Sequence, residues 1–323
     1  MDPVQPLPDA FLDRLRRVVP PEHLDATLAS FSAAQATGFR INTLRADPDD
    51  VLPALEREGL HPHAVEGLPG GYWVAADERA ALLASGPYER DEVYVQNLAS
   101  QLPPLLLDPQ PGERVLDLCA APGSKTRQLA CLMQDEGELA AVEVVRGRFF
   151  KLRANLEAQG ATIVRTFHRD GATVWRHRPE HFDRVLLDAP CSTEGRFRAD
   201  DPETSAYWSE RKVKEMARKQ GRLLFSAVQS LRPGGALVYS TCTFAPEENE
   251  VALSRVLKTF GERIEVVPVE LPPSATVQPA LEAWNGRALP GVQHARRILP
   301  SEAFEAFFVA RLVKHESTLP ERR

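Results

Sequence analysis

Residues 114–126 read RVLDLCAAPGSKT. Arg114 to Cys119 has the apolar run of a buried strand, and Ala120, Ala121, Pro122 and Gly123 make a compact turn into a helix. In open parallel α/β sheets the ligand crevice lies outside the carboxyl ends of the strands, and small residues in this turn let a ligand approach the backbone. A triphosphate loop has lysine directly after its glycine and another glycine five residues earlier. Here Ser124 separates Gly123 from Lys125, and position 118 is Leu. The dinucleotide pattern Gly-x-Gly-x-x-Gly is absent too, which leaves a nucleoside-bearing cofactor without a polyphosphate.

Downstream, the chain alternates strand and helix in the manner of a parallel sheet. Strands are expected at Leu139 to Glu143, Thr162 to Phe167, Arg184 to Asp188 and Ala236 to Thr241. Val145, Phe149, Leu152 and Leu156 form one helical stripe, and Val213, Met216, Gln220, Leu224, Ala227 and Leu231 a longer one; both are expected to face the core. The proline-rich residues 267–300 are expected to be loop, Glu305 to Val313 a last strand, and the tail from His315 frayed. Glu143 closes the second strand, where a carboxylate can accept hydrogen bonds from ribose hydroxyls. Asp170, after the third, can accept one from an adenine amino group. Together they point to S-adenosylmethionine.

Upstream, Phe11, Leu12, Leu15 and Val18 mark a helix broken at Pro20-Pro21. Phe39 to Leu44 alternates like a strand, Asp47-Pro48-Asp49 starts a helix, and Gly70 to Val74 turns into another strand. The expected division is therefore a helical plus small α/β unit over 1–90, a catalytic unit over 91–314, and a flexible tail over 315–323.

A chain of 323 residues, 43% hydrophobic and 26% charged, has the balance of a folded soluble protein. No apolar run approaches the roughly 20 residues of a membrane span, and Met1-Asp2-Pro3 does not read as an export signal, so a cytoplasmic location is expected. Four cysteines without a Cys-x-x-Cys, and eight scattered histidines, argue against a disulfide framework or a metal site. The net charge of −6 argues against binding nucleic acid through bulk positive charge, though not against a local basic face.

Cys191 follows the fourth strand in Asp188-Ala-Pro-Cys191, and Cys242 follows the fifth in Ser240-Thr-Cys242, so both are expected to face the cofactor crevice. A thiolate is what carbon methylation of a pyrimidine needs. Carbon 5 of cytosine is a poor nucleophile until sulfur adds at carbon 6, and a base must later remove the carbon 5 proton. On chemistry alone either cysteine can be the nucleophile. Asp188 is a candidate partner for the base edge, and Lys125 for a nearby positive charge. Cys131 and Cys119 read as small core hydrophobes.

These residues resemble the Sun-type (RsmB/RsmF-like) RNA cytosine carbon-5 methyltransferases from about Phe11 to Val313. The matching pieces are Arg40-Ile-Asn-Thr-Leu44, Val95-Gln96, the Asp117 to Thr126 turn, Glu143 with Arg148, Asn155 with Gly160, Asp170-Gly171, the two cysteine motifs and Pro246-Glu-Glu-Asn249. Glu194 to Arg198 and Trp208 look closer to the RsmF-like branch. The resemblance implies a Rossmann-like S-adenosylmethionine fold with a seven-stranded mixed sheet and a small N-terminal RNA-binding domain. It makes Cys242 the nucleophile and has Cys191 help to release the product. It also implies that Cys119, Ala120, Ala121, Pro122, Gly123, Ser124, Lys125, Glu143, Arg148, Asp170 and Asp188 line the cofactor or target-base site. Two departures are expected: Ser301 stands where many members carry histidine, and the additional C-terminal RNA-binding module of longer relatives is not expected after the last strand.

The implied substrate is a cytosine in rRNA, next in tRNA, unpaired or flipped out of its stack. The enzyme is read as a monomer, with a ribosomal subunit or assembly intermediate as possible partner. Arg146, Arg148, Lys151 and Arg153, then Arg196 and Arg198, then Arg211, Lys212, Lys214, Arg218, Lys219 and Arg222 are candidate phosphate contacts; the last run reads equally well as a solvated helix face. A DNA cytosine methyltransferase is opposed by the second cysteine motif. A non-catalytic RNA-binding assembly factor is opposed by the intact cysteines, Asp188 and cofactor turn.

Overall fold

The computed structural model describes residues 7–319. The helices α1 (Asp9–Val18) and α2 (Pro21–Ser30) meet at Pro20, which with Pro21 stops the first helix and starts the second. Phe11, Leu15 and Val18 are buried on one face of α1. They pack into the core of the larger sheet: the Phe11 ring lies 5.0 Å from that of Phe197.

Next come β1 (Thr37–Ile41), α3 (Pro48–Arg57), β2 (His63–Ala64), β3 (Gly71–Val74), α4 (Arg79–Leu83), α5 (Gly86–Glu89) and β4 (Val93–Val95). The Asp47 side chain caps α3 by accepting from the Asp49 N–H at 2.9 Å, as its motif foretold. The strands form an antiparallel sheet in the order β2-β3-β1-β4, with a core that includes Phe39, Ile41, Val51, Leu55 and Val74. The first strand stops at Ile41, short of the expected Leu44, because Asn42 turns inward and donates to the carbonyls of Asp91 and Gln159 at 3.1 and 3.2 Å.

The rest of the chain supplies α6 (Leu98–Leu107), β5 (Arg114–Asp117), α7 (Ser124–Leu132), β6 (Glu138–Glu143), α8 (Arg146–Ala158), β7 (Val164–His168), β8 (Phe182–Asp188), α9 (Glu210–Ser230), β9 (Leu231–Thr241), α10 (Glu250–Phe260), β10 (Ile264–Val267), β11 (Val277–Pro279), β12 (Ala283–Trp284), β13 (Arg287–Ala288), β14 (Arg296–Ile298) and β15 (Phe307–Lys314). The strands β7, β6, β5, β8 and β9 run parallel in that order, and β15 returns antiparallel along β9. The outer edge of β15 is shared: β10 pairs with Arg311 to Lys314, and β14 with Phe307 to Val309. Among the described residues nine strands thus form a mixed sheet, the expected seven extended by β11 and β14.

The loop expected over 267–300 is corrected by β11 to β14. Each is two or three residues long, too short to show alternation, and β14 is held in place by β15 rather than by its own sequence. Pro279, which lacks an N–H, sits at the end of the edge strand β11. The fraying expected from His315 does not begin there: His315 N–H donates to the Arg263 carbonyl at 2.8 Å, and Thr318 N–H to Glu180 at 2.9 Å. Residues 320–323, like Met1-Asp2-Pro3, lie outside the described residues. In the α8 stripe Leu152 and Leu156 are buried, but Val145 is exposed and lines a cleft. Among the described residues no helix is long and apolar enough to cross a membrane.

Candidate active site

The carboxyl ends of β5, β6, β8 and β9 open into one cavity of about 690 Å³. Its floor is the turn after β5. Gly123 adopts φ 110°, a conformation other residues rarely take, and a Cβ there would sit 3.1 Å from Leu152. One residue into α7, Lys125 enters the cavity, and Thr126 donates to Asp117 Oδ2 at 2.7 Å, tying the turn to its strand. Burial pushes the Asp117 carboxyl up to about 7, and its Oδ1 has no hydrogen-bond partner.

At the end of β6, Glu143 is buried. Its Oε1 accepts from the Val145 N–H at 2.7 Å, and Arg148 approaches Oε2 at 3.6 Å while donating to the Ala121 carbonyl at 2.5 Å. Past β7, Asp170 accepts from the Ala172 N–H at 3.0 Å and faces Arg222 at 3.4 Å. Gly171 has no room for a side chain, because a Cβ would meet the Leu118 carbonyl at 2.8 Å. The arrangement offers carboxylate acceptors and small backbone positions to an elongated nucleoside.

The other end of the cavity holds the sulfur atoms. Asp188 Oδ2 pairs with Lys125 Nζ at 2.7 Å, its Oδ1 accepts from Ser240 Oγ at 2.9 Å, and Lys125 also donates to Ser100 Oγ at 2.5 Å. Lys125 is therefore committed to Asp188 rather than standing beside a cysteine. Cys191 Sγ lies 3.3 Å from Cys242 Sγ. Donation from the Cys191 thiol holds the Cys242 thiol below its usual range against the opposing effect of burial, with help from the Arg196 guanidinium. Cys191 is pushed up by the same hydrogen bond and by burial. Two thiols that are equivalent in chemical type thus have surroundings that favour ionisation of Cys242 over that of Cys191.

Both cysteine loops are braced from behind. Glu248 accepts from the Ser192 N–H at 3.0 Å and from Gln220 at 2.7 Å, and burial raises its carboxyl to about 7. Glu194 takes Trp208 Nε1 at 2.7 Å and Thr243 Oγ1 at 2.8 Å. Asn249 accepts from Thr241 Oγ1 at 2.6 Å and donates to the Thr243 carbonyl at 2.9 Å. The Pro246 to Asn249 motif is therefore support behind the site, and Glu250 beside it forms a buried pair with Arg297 at 2.5 Å.

All the residues expected at the site, from Cys119 through Lys125 and at 143, 148, 170, 188, 191 and 242, fall in or against this cavity; Gly123 lies just beneath its lining. Burial pushes the Cys119 thiol up, as for an inert cysteine, although its residue lines the cavity. Cys131 is no plain core hydrophobe: its sulfur meets Asn42 Oδ1 at 3.5 Å and Arg40 at 3.8 Å. Arg40 bonds Gln96 at 2.8 Å and the Ser124 carbonyl at 3.0 Å, buttressing the start of α7 from the small sheet. Arg79 at the start of α4 and Tyr94 on β4 also reach the cavity wall.

The basic residues divide. Arg198 is spent on the Ala33 carbonyl at 2.6 Å and Asp200 at 3.1 Å, whereas Arg196 enters the cavity and pairs with Glu305 at 3.2 Å. Lys219 lines the cavity and Lys212 pairs with Glu215, while Arg211, Lys214 and Arg218 are exposed on α9. The sequence reading missed Ser100, Glu305 and Phe307. Ser100 sits on α6, whose Pro103 and Pro104 hide a helix; the carbonyl of Ser100 left free by Pro104 is taken by Gln96 Nε2 at 3.0 Å. Glu305 was assigned to the last strand, which starts only at Phe307.

Comparison with known proteins places the chain among methyltransferases. A family model described as 16S rRNA methyltransferase RsmB/F matches residues 104–313. The ribosomal RNA small subunit methyltransferase F of Vibrio parahaemolyticus is 34% identical over 98% of this chain and 65% of that protein. The chain spans about two thirds of the length of the curated relatives it matches. Among solved structures, a methyltransferase homolog protein from Pyrococcus horikoshii is 30% identical with a TM-score of 0.77, covering 95% of this chain and 100% of that one. NSun6 from Pyrococcus horikoshii, solved with SFG, has a TM-score of 0.80 over 96% of this chain and 98% of that one; at 20% identity it bears on the fold alone.

Proposed function

The chain belongs to the 16S rRNA methyltransferase RsmB/F family, and from that premise we propose that it transfers a methyl group from S-adenosylmethionine to carbon 5 of a cytosine in RNA, rRNA before tRNA. The observation that carries this reading is the 3.3 Å approach of Cys191 and Cys242 at the carboxyl ends of two neighbouring parallel strands, beside Asp188.

The cavity suits the cofactor: the small residues Ala120 and Ala121 line its floor, Glu143 is assigned to a ribose and Asp170 to an adenine amino group. Pro122, Ser124 and Arg148 complete its walls. When bound, S-adenosylmethionine supplies an electrophilic methyl group on a sulfonium.

The chain's own residues do the rest. The Cys242 thiolate adds to carbon 6 of the cytosine, which moves electron density to carbon 5 and makes it the nucleophile. Asp188, oriented by Lys125 and Ser240, holds the polar edge of the base. The carbon 5 proton then passes to a proton acceptor in the cavity, the electron pair it leaves expels Cys242 from carbon 6, and the Cys191 thiol stabilises the departing thiolate with a hydrogen bond. The base reaches this depth only when flipped from its stack. Residues 1–90, which bring Arg79 to the cavity wall, are assigned to RNA recognition, and exposed arginines and lysines of α8 and α9 to phosphate contact. The protein works as a cytoplasmic monomer on a ribosomal subunit or its precursor.

The test is incubation of purified protein with methyl-labelled S-adenosylmethionine and, separately, undermodified rRNA, small ribosomal subunits, tRNA and duplex DNA, followed by nucleoside analysis. Labelled 5-methylcytidine from an RNA sample is expected. Label in DNA alone, or in another nucleoside, overturns the reading.

A further inference from the structure

Lys125, the cation expected to serve the cysteines, is held by Asp188 and Ser100. A different cation reaches the cavity from the loop after Cys191. Gly195 donates its N–H to the Cys242 carbonyl at 3.0 Å, and there is no space between them: a Cβ on Gly195 would meet the Ala306 carbonyl at 2.5 Å and the Cys242 carbonyl at 3.0 Å. The backbone of residues 195–196 is thereby pressed against both the nucleophile's own peptide and the segment that carries Glu305. From this fixed point Arg196 extends into the cavity, and its Nε binds Glu305 Oε2 at 3.2 Å. Arg196, Glu305, Cys191 and Cys242 line the same cavity.

We propose that Arg196 is a positioning residue for the methyl-transfer reaction, its guanidinium anchored by Glu305 so that its charge favours the thiolate of Cys242. This inference rests on the reading of Cys242 as nucleophile. The charged and titratable groups facing that thiol are Cys191 and Asp188 from the β8 end, Arg196 from the following loop, and Glu305 from the segment before β15. Asp188 and Glu305 disfavour the thiolate, Cys191 favours it by hydrogen bonding, and Arg196 is the cation that offsets the two carboxylates. The thiolate in turn raises the affinity of Arg196 for its proton, as expected of a mutual pair. Because the Arg196 side chain is about half exposed, 53% by area, the effect belongs at the lower end for a charge neighbour.

The test is pulse alkylation with iodoacetamide from pH 5 to 10, read by mass spectrometry on the peptide that contains Cys242, in the wild type, Arg196→Met, Arg196→Gln and Arg196→Lys. The expected result is a Cys242 rate about tenfold lower at neutral pH in the Met and Gln variants, recovering at high pH, with Lys restoring most of the loss. Alkylation of Cys131 serves as the folding control and is expected to be unchanged. A Cys242 profile identical to wild type in the Met and Gln variants overturns the proposal, and so does a Lys variant as slow as Met, since that would mean shape rather than charge. The readout needs no RNA. If the wild type fails to methylate any RNA while the alkylation profile still shifts, the functional reading falls and the assignment of Arg196 to the thiol stands.

Discussion

The sulfur atoms of Cys191 and Cys242 lie 3.3 Å apart although 51 residues separate them in the chain. The contact is made by register: Asp188 pairs with Ser240 across β8 and β9, so the residues that follow each strand emerge side by side over the cavity. The asymmetry between the two thiols comes first from their mutual hydrogen bond, which lowers Cys242 and raises Cys191; burial raises both, and Arg196 at one and Glu248 at the other widen the difference.

Removing either sulfur therefore has a different outcome. Cys242→Ala is expected to lose methyl transfer by about a thousandfold or more, with no protein–RNA adduct. Cys191→Ala is expected to accumulate a covalent adduct that survives denaturing electrophoresis. Denaturing gels of turnover mixtures with labelled RNA check both; normal turnover by Cys242→Ala contradicts the assignment.

Glu143→Ala removes a buried carboxylate at the end of β6. Loss of a charged hydrogen-bond acceptor costs about 1.5–3 kcal/mol, so binding of S-adenosylhomocysteine is expected to weaken by roughly ten- to a hundredfold. Isothermal titration measures it, and an unchanged Kd removes Glu143 from the cofactor site.

The Glu248 carboxyl is raised by burial to about 7. The folded protein then holds a proton that the unfolded chain releases above its ordinary carboxylate range, so this group's stabilisation is full below about pH 4.5 and falls away as pH rises to about 7. Glu248→Gln keeps an acceptor for the Ser192 N–H and Gln220 but removes the titration. Urea unfolding is expected to give the variant a stability similar to wild type at pH 5 and a higher one at pH 8, by at most about 3 kcal/mol. A difference that does not change with pH refutes this.

Arg297 and Glu250 form a buried pair at 2.5 Å, and Arg297 also holds the Phe244 carbonyl at 2.8 Å, just past Cys242. Arg297→Met leaves an uncompensated buried carboxylate and is expected to cost about 3–5 kcal/mol in denaturant unfolding. The double variant Arg297→Met with Glu250→Gln is expected to recover part of it. Equal losses in the single and double variants would show that packing, not charge, is responsible.

What could be read along the chain was whatever depends on neighbours in sequence. The strand runs ending at Asp117, Glu143, Asp188 and Thr241 carry their own apolar patterns, and the end of each such strand must open on the crevice side of a parallel sheet. That rule alone is enough to bring the turn after β5, Glu143, Asp188 and both cysteine loops to one cavity. The tertiary structure decided everything that depends on distance between segments. β14 exists because β15 offers it an edge, Ser100 reaches Lys125 because α6 packs across α7, and Arg196 meets Glu305 because Gly195 leaves no gap to the segment before β15. Charge and hydrogen bonding fall off within a few ångströms, so the order of residues can name the two thiols, but only their folded surroundings can make one of them the easier to ionise.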